Sequence, residues 1–96
     1  MILIYSLSGD TKTKVSDCAC NGIRLFGRVQ VVDRFPDLRV RVVSSFEDIR
    51  VRKVDSFPDR CGKWQFVDSF PDFTIQYVAI GADIRVKFVE SFPGVK

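Results

Sequence analysis

Apolar and polar residues alternate in short stretches along most of this chain, from Gly27 to Gly94. One such stretch reads Ile49-Arg50-Val51-Arg52. Alternation with a period of two is typical of a β-strand that buries one face, and the β-branched and aromatic residues at the apolar positions favour the same structure. No stretch of about ten residues has a helical period. The pattern therefore predicts an all-β fold made of short strands.

The strands belong to an internal repeat of eleven residues. Six units fill the range Gly27–Gly94, and a two-residue insertion, Arg60-Cys61, separates the third unit from the fourth. We number the positions of each unit from one to eleven. Positions one and three are mostly apolar, and each unit closes on a corner with the consensus Ser-Phe-Pro-Asp at positions eight to eleven. The units read GRVQVVDRFPD, LRVRVVSSFED, IRVRKVDSFPD, GKWQFVDSFPD, FTIQYVAIGAD and IRVKFVESFPG.

The corner sequence predicts how each strand ends. Proline at position ten lacks a backbone donor and fixes φ, so the strand must stop before it, and the preceding phenylalanine should be extended. The aspartate at position eleven is expected to accept hydrogen bonds from nearby backbone N–H groups. We expect the phenylalanine at position nine to fold back and cover the edge of a thin core. Valine at position six of every unit predicts either a β-bulge or a strand end covered on both faces.

The length of 96 residues allows one domain, 1–96, in which 27–94 hold the six repeats. Three arrangements suit a strand-and-corner unit: a meander, a β-solenoid with a short coil, or a chain that winds repeatedly about a common axis. The repeat alone leaves this choice open. Residues 1–26 are predicted to be divergent units that complete the structure. We place strands at Met1–Tyr5 and Lys12–Val15, and turns at Ser8-Gly9-Asp10 and Asn21-Gly22.

The corner motifs VDSFPD and FVESFPG, and the longer segment CGKWQFVDSFPDFTIQYV, resemble the septoil-knot domain family of small bacterial proteins. The resemblance extends over Gly27–Lys96. It implies an all-β domain, a compact wrap of strand-plus-corner units deeply wound as a 7(1) torus knot, without an assigned activity or any catalytic residue. Two corners lack the Phe-Pro pair of the motif. Glu47 replaces proline in the second unit, and the fifth corner, Ala79–Asp83, lacks both Phe and Pro. There Gly81 is expected to adopt a backbone angle that phenylalanine would not.

The composition excludes most of the common catalytic mechanisms. The chain has no histidine, which excludes Ser-His-Asp and Cys-His arrangements and removes the commonest metal ligand. It contains no glycine-rich phosphate loop and no nucleophile elbow. The corner aspartates are expected to cap turns rather than to bind calcium, because no calcium-binding loop surrounds them. We therefore predict a protein that is not an enzyme and that needs no metal or other cofactor.

Four further residues have two interpretations each. Trp64 at position three is expected to fill the core, and the alternative is a surface anchor for a partner. Cys18, Cys20 and Cys61 are expected to be three buried thiols. The alternative is a disulfide from Cys18 or Cys20, which would share one face of a strand, to Cys61. Zinc is not expected, because neither a histidine nor a fourth cysteine is available.

Basic residues recur at positions two and four of the units and form what we call the basic ladder. If they share one face of a sheet, they offer a positive stripe to nucleic acid or another polyanion. The net charge is +3 for the whole chain but only +1 over the repeats, so a solvated face is the favoured interpretation. The ladder consists of Arg28, Arg39, Arg41, Arg50, Arg52, Lys63, Arg85 and Lys87.

The leading prediction of function is a stable, non-catalytic structural or interaction module, and polyanion binding through the basic ladder is the alternative. The opening apolar run, Met1–Tyr5, is too short for a signal peptide, and no stretch approaches the length of a membrane helix. We therefore expect a cytoplasmic monomer with a protein partner, with no membrane association, and with nucleic acid as the less favoured ligand.

Overall fold

The computed structural model describes residues 16–95. Within this range a single 3₁₀ turn, Ser16–Cys18, is followed by β-strands. The prediction of an all-β fold is confirmed, and strands β3 to β8 begin the six repeat units. The strands are β1 Ala19–Cys20, β2 Ile23–Arg24, β3 Gly27–Val31, β4 Leu38–Val42, β5 Ile49–Lys53, β6 Lys63–Phe66, β7 Phe73–Tyr77, β8 Ile84–Phe88 and β9 Gly94–Val95.

Strands β3 to β8 form a parallel sheet that closes into a barrel in the order β3-β6-β5-β8-β4-β7 and back to β3. Positions one and three point into the barrel, as the alternation predicts. Trp64 is fully buried among them, so it fills the core, and the alternative of a surface anchor is wrong. The buried side chains at these positions are Val29, Leu38, Val40, Ile49, Val51, Trp64, Phe73, Ile75, Ile84 and Val86.

A uniform stagger explains how such short corners join parallel strands. Each strand is displaced by two residues relative to its neighbour at all six steps around the barrel. As a result, Val31 at the end of β3 and Leu38 at the start of β4 pair with the same residue, Ile75 of β7, from opposite sides. Parallel strands usually need a connection of about a dozen residues or more. Here the corner has only to cross the outside of one strand.

The chain passes around the barrel twice. Strands β3, β4 and β5 take every second place, and β6, β7 and β8 fill the places between them. After β5, the place two strands further on is already held by β3. The insertion Arg60-Cys61 lies at this point, where the chain enters the neighbouring place as β6. The wound arrangement is therefore the correct one of the three, and the meander and the solenoid are excluded.

The hairpin β1–β2 covers the end of the barrel at which the parallel strands start. Asn21 and Gly22 form its turn with φ values of 52° and 82°, so the predicted tight turn is confirmed. Leu25, just after the hairpin, is fully buried, and its carbonyl oxygen accepts hydrogen bonds from the Trp64 indole and from the Gly62 backbone. The elements predicted within residues 1–15 lie outside the described residues.

A disulfide between Cys18 and Cys61 fastens this hairpin to the insertion. The expectation of three free thiols is therefore wrong for these two, and the alternative bridge is correct. Cys18 and Cys20 do not share a strand face, because Cys18 belongs to the 3₁₀ turn with a φ of 55° and β1 begins only at Ala19. Cys20 is buried and free.

Four of the five aspartates at position eleven attach their corner to the strand that it crosses. Thr74 of β7 donates its backbone N–H to Asp37 Oδ2 at 2.8 Å, and Asp37 donates its own backbone N–H to the Thr74 carbonyl at 3.1 Å. Asp48, Asp72 and Asp83 repeat the arrangement on Arg85, Arg28 and Arg39. The predicted bonds to backbone N–H groups are confirmed for these four aspartates, whereas Asp59 donates its own backbone N–H to the Phe57 carbonyl within the third corner. The donors to the four aspartates lie on a distant strand, which only the closed barrel brings near.

Replacing Asp37 by Ala should lower the free energy of unfolding by about 1–2 kcal/mol, because the Thr74 N–H and hydroxyl lose a charged acceptor. Urea denaturation measures this loss. The matched control is Asp33→Ala in the same corner, where the carboxylate is exposed and accepts no hydrogen bond in the described structure. We expect the control to change stability by less than about 0.5 kcal/mol. Equal effects of the two substitutions would contradict the role given to Asp37.

The buried thiol makes stability dependent on alkaline pH. Burial, assisted by the charges of Asp83 and Asp48, raises the pKa of the Cys20 thiol from 9.0 to about 11. The folded state holds this proton more tightly than the unfolded state does. The contribution of the protonated thiol to folding stability is therefore complete below about pH 8.5 and is lost as the pH rises through about 11. Burial also raises the pKa of Tyr77, with the same sign.

We therefore expect the free energy of unfolding to be constant between about pH 7 and 8.5 and to fall between about pH 9 and 11. Urea denaturation in a series of buffers measures this profile. Cys20→Ala should remove a large part of the fall, and the part due to Tyr77 should remain. Identical profiles for Cys20→Ala and the wild type would refute the assignment to Cys20.

Candidate functional site

The phenylalanines at position nine are exposed to solvent. Their side chains were predicted to cover the edge of the core, but 78–89% of their surface is accessible, so that prediction is wrong. The physical reason is that each corner lies on the outer face of the barrel, where position nine points away from the strand below. We call these residues the corner phenylalanines: Phe35, Phe46, Phe57, Phe70 and Phe92.

The backbone at position nine is left-handed rather than extended, which is a second correction. All five corner phenylalanines have φ between 54° and 60°. Proline does not impose this conformation, because Phe46 precedes Glu47 and has the same φ. Gly81 also has a positive φ, 79°, but phenylalanine adopts the same region at the other corners, so the prediction that phenylalanine would not is wrong. A left-handed residue other than glycine costs roughly 1–2 kcal/mol. The corners therefore hold exposed aromatic rings at an energetic cost.

The corner phenylalanines point outward from several sides of the barrel. The second corner crosses β8, the fourth crosses β3, and the sixth crosses β5, as the backbone hydrogen bonds to these strands show. The fifth corner crosses β4 and carries Gly81 at position nine, with an exposed Ile80 before it. The fold thus presents separate, rigidly attached aromatic side chains instead of one continuous apolar patch.

The end of the barrel opposite the hairpin carries a second exposed apolar group. Position five of each unit shares the inward face with positions one and three but lies at the strand end, so these side chains form a rim. Lys53 lies over the Phe66 and Phe88 rings, 5.6 and 4.7 Å from their centres. Val31 and Tyr77 complete much of the opposite side and are nearly half exposed. Sequence reasoning missed this rim, although continuing the period-two alternation from position three to position five would have included these residues.

The structure places the whole basic ladder on the outer surface of the barrel. Its members are exposed or half-buried: Arg28, Arg39, Arg41, Arg50, Arg52, Lys63, Arg85 and Lys87. They do not share one flat face, since the sheet is closed. The register nevertheless brings six of them into directly opposed pairs on neighbouring strands, namely Arg41 with Arg85, Arg50 with Lys87, and Arg52 with Lys63.

The opposed pairs concentrate positive charge on one side of the barrel. They span the adjacent strands β4, β8, β5 and β6, which we call the basic arc. On the other side, Arg28 is opposite Gln65, Arg39 is opposite Gln76, and Gln30 is opposite Thr74. Like charges directly opposite each other in a sheet are destabilising by a few tenths of a kcal/mol to about 1 kcal/mol. The small net charge of the repeats therefore conceals an uneven distribution.

Corner carboxylates neutralise part of the basic arc. Asp48 Oδ1 lies 3.1 Å from Arg85 Nη2, and Glu47 Oε2 lies 3.0 Å from Arg50 Nε. The hydrogen bond to Asp48, together with its charge, raises the pKa of Arg85 above its usual value. Arg41 forms no ion pair with any residue in the described part of the chain.

Two clefts meet at Arg41 and Arg85. One, of about 470 Å³, lies against the fifth corner and is also lined by Ile80 and Asp48. The other, of about 440 Å³, lies against the second corner and is also lined by Ser44, Ser45 and Phe46. These are the two corners that lack the Phe-Pro pair of the motif. The irregular units of the repeat thus converge on one place.

Residues 16–95 contain no group of three or more His, Cys, Asp or Glu side chains that could hold a metal ion. In the same range, no helix is long and apolar enough to cross a membrane. Comparison with known proteins gives a family match but no curated relative. The family model, described as the 7(1) septoil knot domain, matches residues 22–96, from the turn of the hairpin onward. The repeated corners, the parallel barrel around which the chain passes twice, and this match show that the chain belongs to the 7(1) septoil knot domain family.

Proposed function

We propose that this domain is a non-catalytic interaction module whose corner phenylalanines bind a protein partner. The observation that supports the proposal most is the repeated exposure of phenylalanine in a left-handed conformation. An exposed ring stabilises the fold little, and the backbone conformation opposes it. The exposure of apolar surface and the left-handed backbone are both offset if the rings enter pockets on a partner, where aromatic side chains are frequent sources of binding energy.

The scaffold supports this role because it fixes the corners. All corners except the third are bonded to a strand far away in the sequence, as in the pairing of Asp72 with Arg28. The disulfide Cys18–Cys61 fastens the hairpin at one end of the barrel. Side chains held on a rigid scaffold lose little conformational entropy on binding, which favours affinity. The absence of histidine further supports a role without catalysis.

Site-specific photocrosslinking in the source organism tests the proposal. A photoreactive phenylalanine analogue replaces Phe35 or Phe70, and the matched control places it at Ile80, an equally exposed position in the fifth corner, which carries no phenylalanine. We expect discrete adducts from the two phenylalanine positions but not from Ile80. Excess unlabelled wild-type domain should compete these adducts away, whereas a variant with all five corner phenylalanines changed to Gly should not. Adducts that are absent, or equal at all three positions, would refute the proposal.

Polyanion binding is the second candidate function, and the opposed cation pairs of the basic arc favour it. An anionic ligand would relieve the repulsion within these pairs, which the corner carboxylates neutralise only in part. The sequence predicted that the corner phenylalanines would be buried, which would leave few aromatic rings to stack on the bases of a nucleic acid. Because these rings are exposed, they are available for stacking.

A further inference from the structure

The two clefts at Arg41 and Arg85 form the most distinctive place on the surface. Four corners of the repeat follow the Phe-Pro motif, and the two that depart from it flank this place. In the second corner, Glu47 replaces proline, is almost completely buried and pairs with Arg50. In the fifth corner, Gly81 replaces phenylalanine, and a Cβ atom built there would meet no described atom within 4 Å. The cleft of the fifth corner borders Arg41 on that side and is also lined by Asp48 and Asp83.

We infer that this place binds single-stranded nucleic acid, with a phosphate on the Arg41–Arg85 pair and a base stacked on Phe46. The inference rests on polyanion binding, the second candidate function, and assigns it to one site. Among the described residues that line the cleft beside the second corner, Arg41 and Arg85 are the only charged ones. Asp48 holds Arg85 from the neighbouring cleft, so Arg41 contributes a guanidinium that has no partner in the described structure.

The ring of Phe46 makes a nucleic acid a better match than a simple phosphate. Its side chain is 79% exposed and lines the same cleft as the two guanidinium groups, together with the hydroxyl-bearing Ser44 and Ser45. Proteins that bind single strands combine cations that follow the backbone with aromatic rings that stack on bases. A duplex does not fit this pattern, because its bases are already stacked and paired.

The basic arc extends the site beyond one nucleotide. From Arg85 on β8, the register leads to the pair of Lys87 with Arg50 and then to the pair of Arg52 with Lys63. The sixth corner, which carries the exposed Phe92, crosses β5 along this path. Cations and an aromatic ring are therefore repeated on the same side of the barrel, as a strand of several nucleotides requires.

Fluorescence anisotropy of a labelled oligothymidylate of about 12 nucleotides, titrated with the full chain, tests the inference. We expect saturable binding at about 50 mM salt that weakens steeply by about 200 mM. Arg41→Gln should weaken binding about tenfold, and Phe46→Ala should weaken it by about 5- to 150-fold. The matched controls on the opposite side, Arg28→Gln and Phe35→Ala, should stay within about twofold of the wild type.

Equal losses from Arg41→Gln and Arg28→Gln would overturn the site but leave general polyanion binding in place. No binding by the wild type at low salt would overturn both the inference and the second candidate function. Arg41-dependent binding to phosphatidylserine vesicles, without binding to the oligonucleotide, would overturn the assignment to nucleic acid. None of these results bears on the photocrosslinking experiment, so failure of this inference is distinguishable from failure of the protein-partner proposal.

Discussion

Replacing Trp64 by Ala is expected to lower the free energy of unfolding by about 3–5 kcal/mol, among the largest losses for any single residue of this domain. The indole is fully buried and meets Phe73 and Phe66 edge to face, with ring centres 5.5 and 6.1 Å away. Its Nε1–H also donates to the Leu25 carbonyl at 3.1 Å, which attaches the hairpin end to the barrel. The substitution therefore leaves a large cavity and removes a link between two parts of the fold.

Urea denaturation followed by circular dichroism measures this effect. Tyr77→Ala is the matched control, because that ring lies at the open rim and is 44% exposed, so we expect a loss of at most about 1 kcal/mol. If Trp64→Ala does not fold, Trp64→Phe retains most of the volume and should cost about 1–2 kcal/mol through the lost hydrogen bond. A Trp64→Ala variant within about 1 kcal/mol of the wild type would contradict the packing described here.

Removing the disulfide is expected to lower the free energy of unfolding by about 4 kcal/mol. The bridge joins residues 43 apart, and closing a loop of that length restricts the unfolded chain by about this amount in the chain-entropy model. The double substitution Cys18→Ser with Cys61→Ser, or reduction of the wild type with dithiothreitol, tests the expectation by urea denaturation. Cys20→Ala is the matched control, since it removes a buried thiol that forms no bridge.

The two treatments should agree, and Cys20→Ala should leave the response to dithiothreitol unchanged. Insensitivity of the wild type to reduction would show that the bridge contributes nothing. The disulfide also bears on the cytoplasmic location expected from the sequence, because such bonds persist mainly in oxidising compartments. That location remains a prediction, and alkylation of free thiols in intact cells would measure whether Cys18 and Cys61 are bridged there.

The sequence predicted the local parts of this fold well. Period-two alternation identified the strands and their buried faces, and the recurrence of Asp at position eleven identified the residues that hold the corners. These features depend on neighbouring residues and on burial, which a repeat makes visible. The placement of the basic ladder on an exposed face followed from the same alternation. The resemblance to a known family contributed the winding, which the repeat by itself left open among three arrangements.

The remaining features depend on which units become neighbours. The sheet places the second unit between the fifth and the sixth, so Arg41 meets Arg85 through a register that no short-range pattern encodes. The corner phenylalanines were misassigned because a buried phenylalanine is the usual case in a small domain. Their left-handed conformation follows from the path of the corner over the crossed strand. For the same reason, the Cys18–Cys61 bridge became evident only once the hairpin was placed at the barrel end.

The measurement that tests this account most directly is the stability of a variant in which all five corner phenylalanines are changed to Gly. If the rings serve binding rather than folding, the free energy of unfolding should be unchanged or higher, because relief of about 1–2 kcal/mol of strain at each site outweighs the added freedom of the unfolded chain. A matched variant with Ala at the same positions keeps the strained conformation and should be no more stable than the wild type. Should the glycine variant lose about 3 kcal/mol or more in urea denaturation, the corner phenylalanines would be part of the core, which would contradict their assignment to binding.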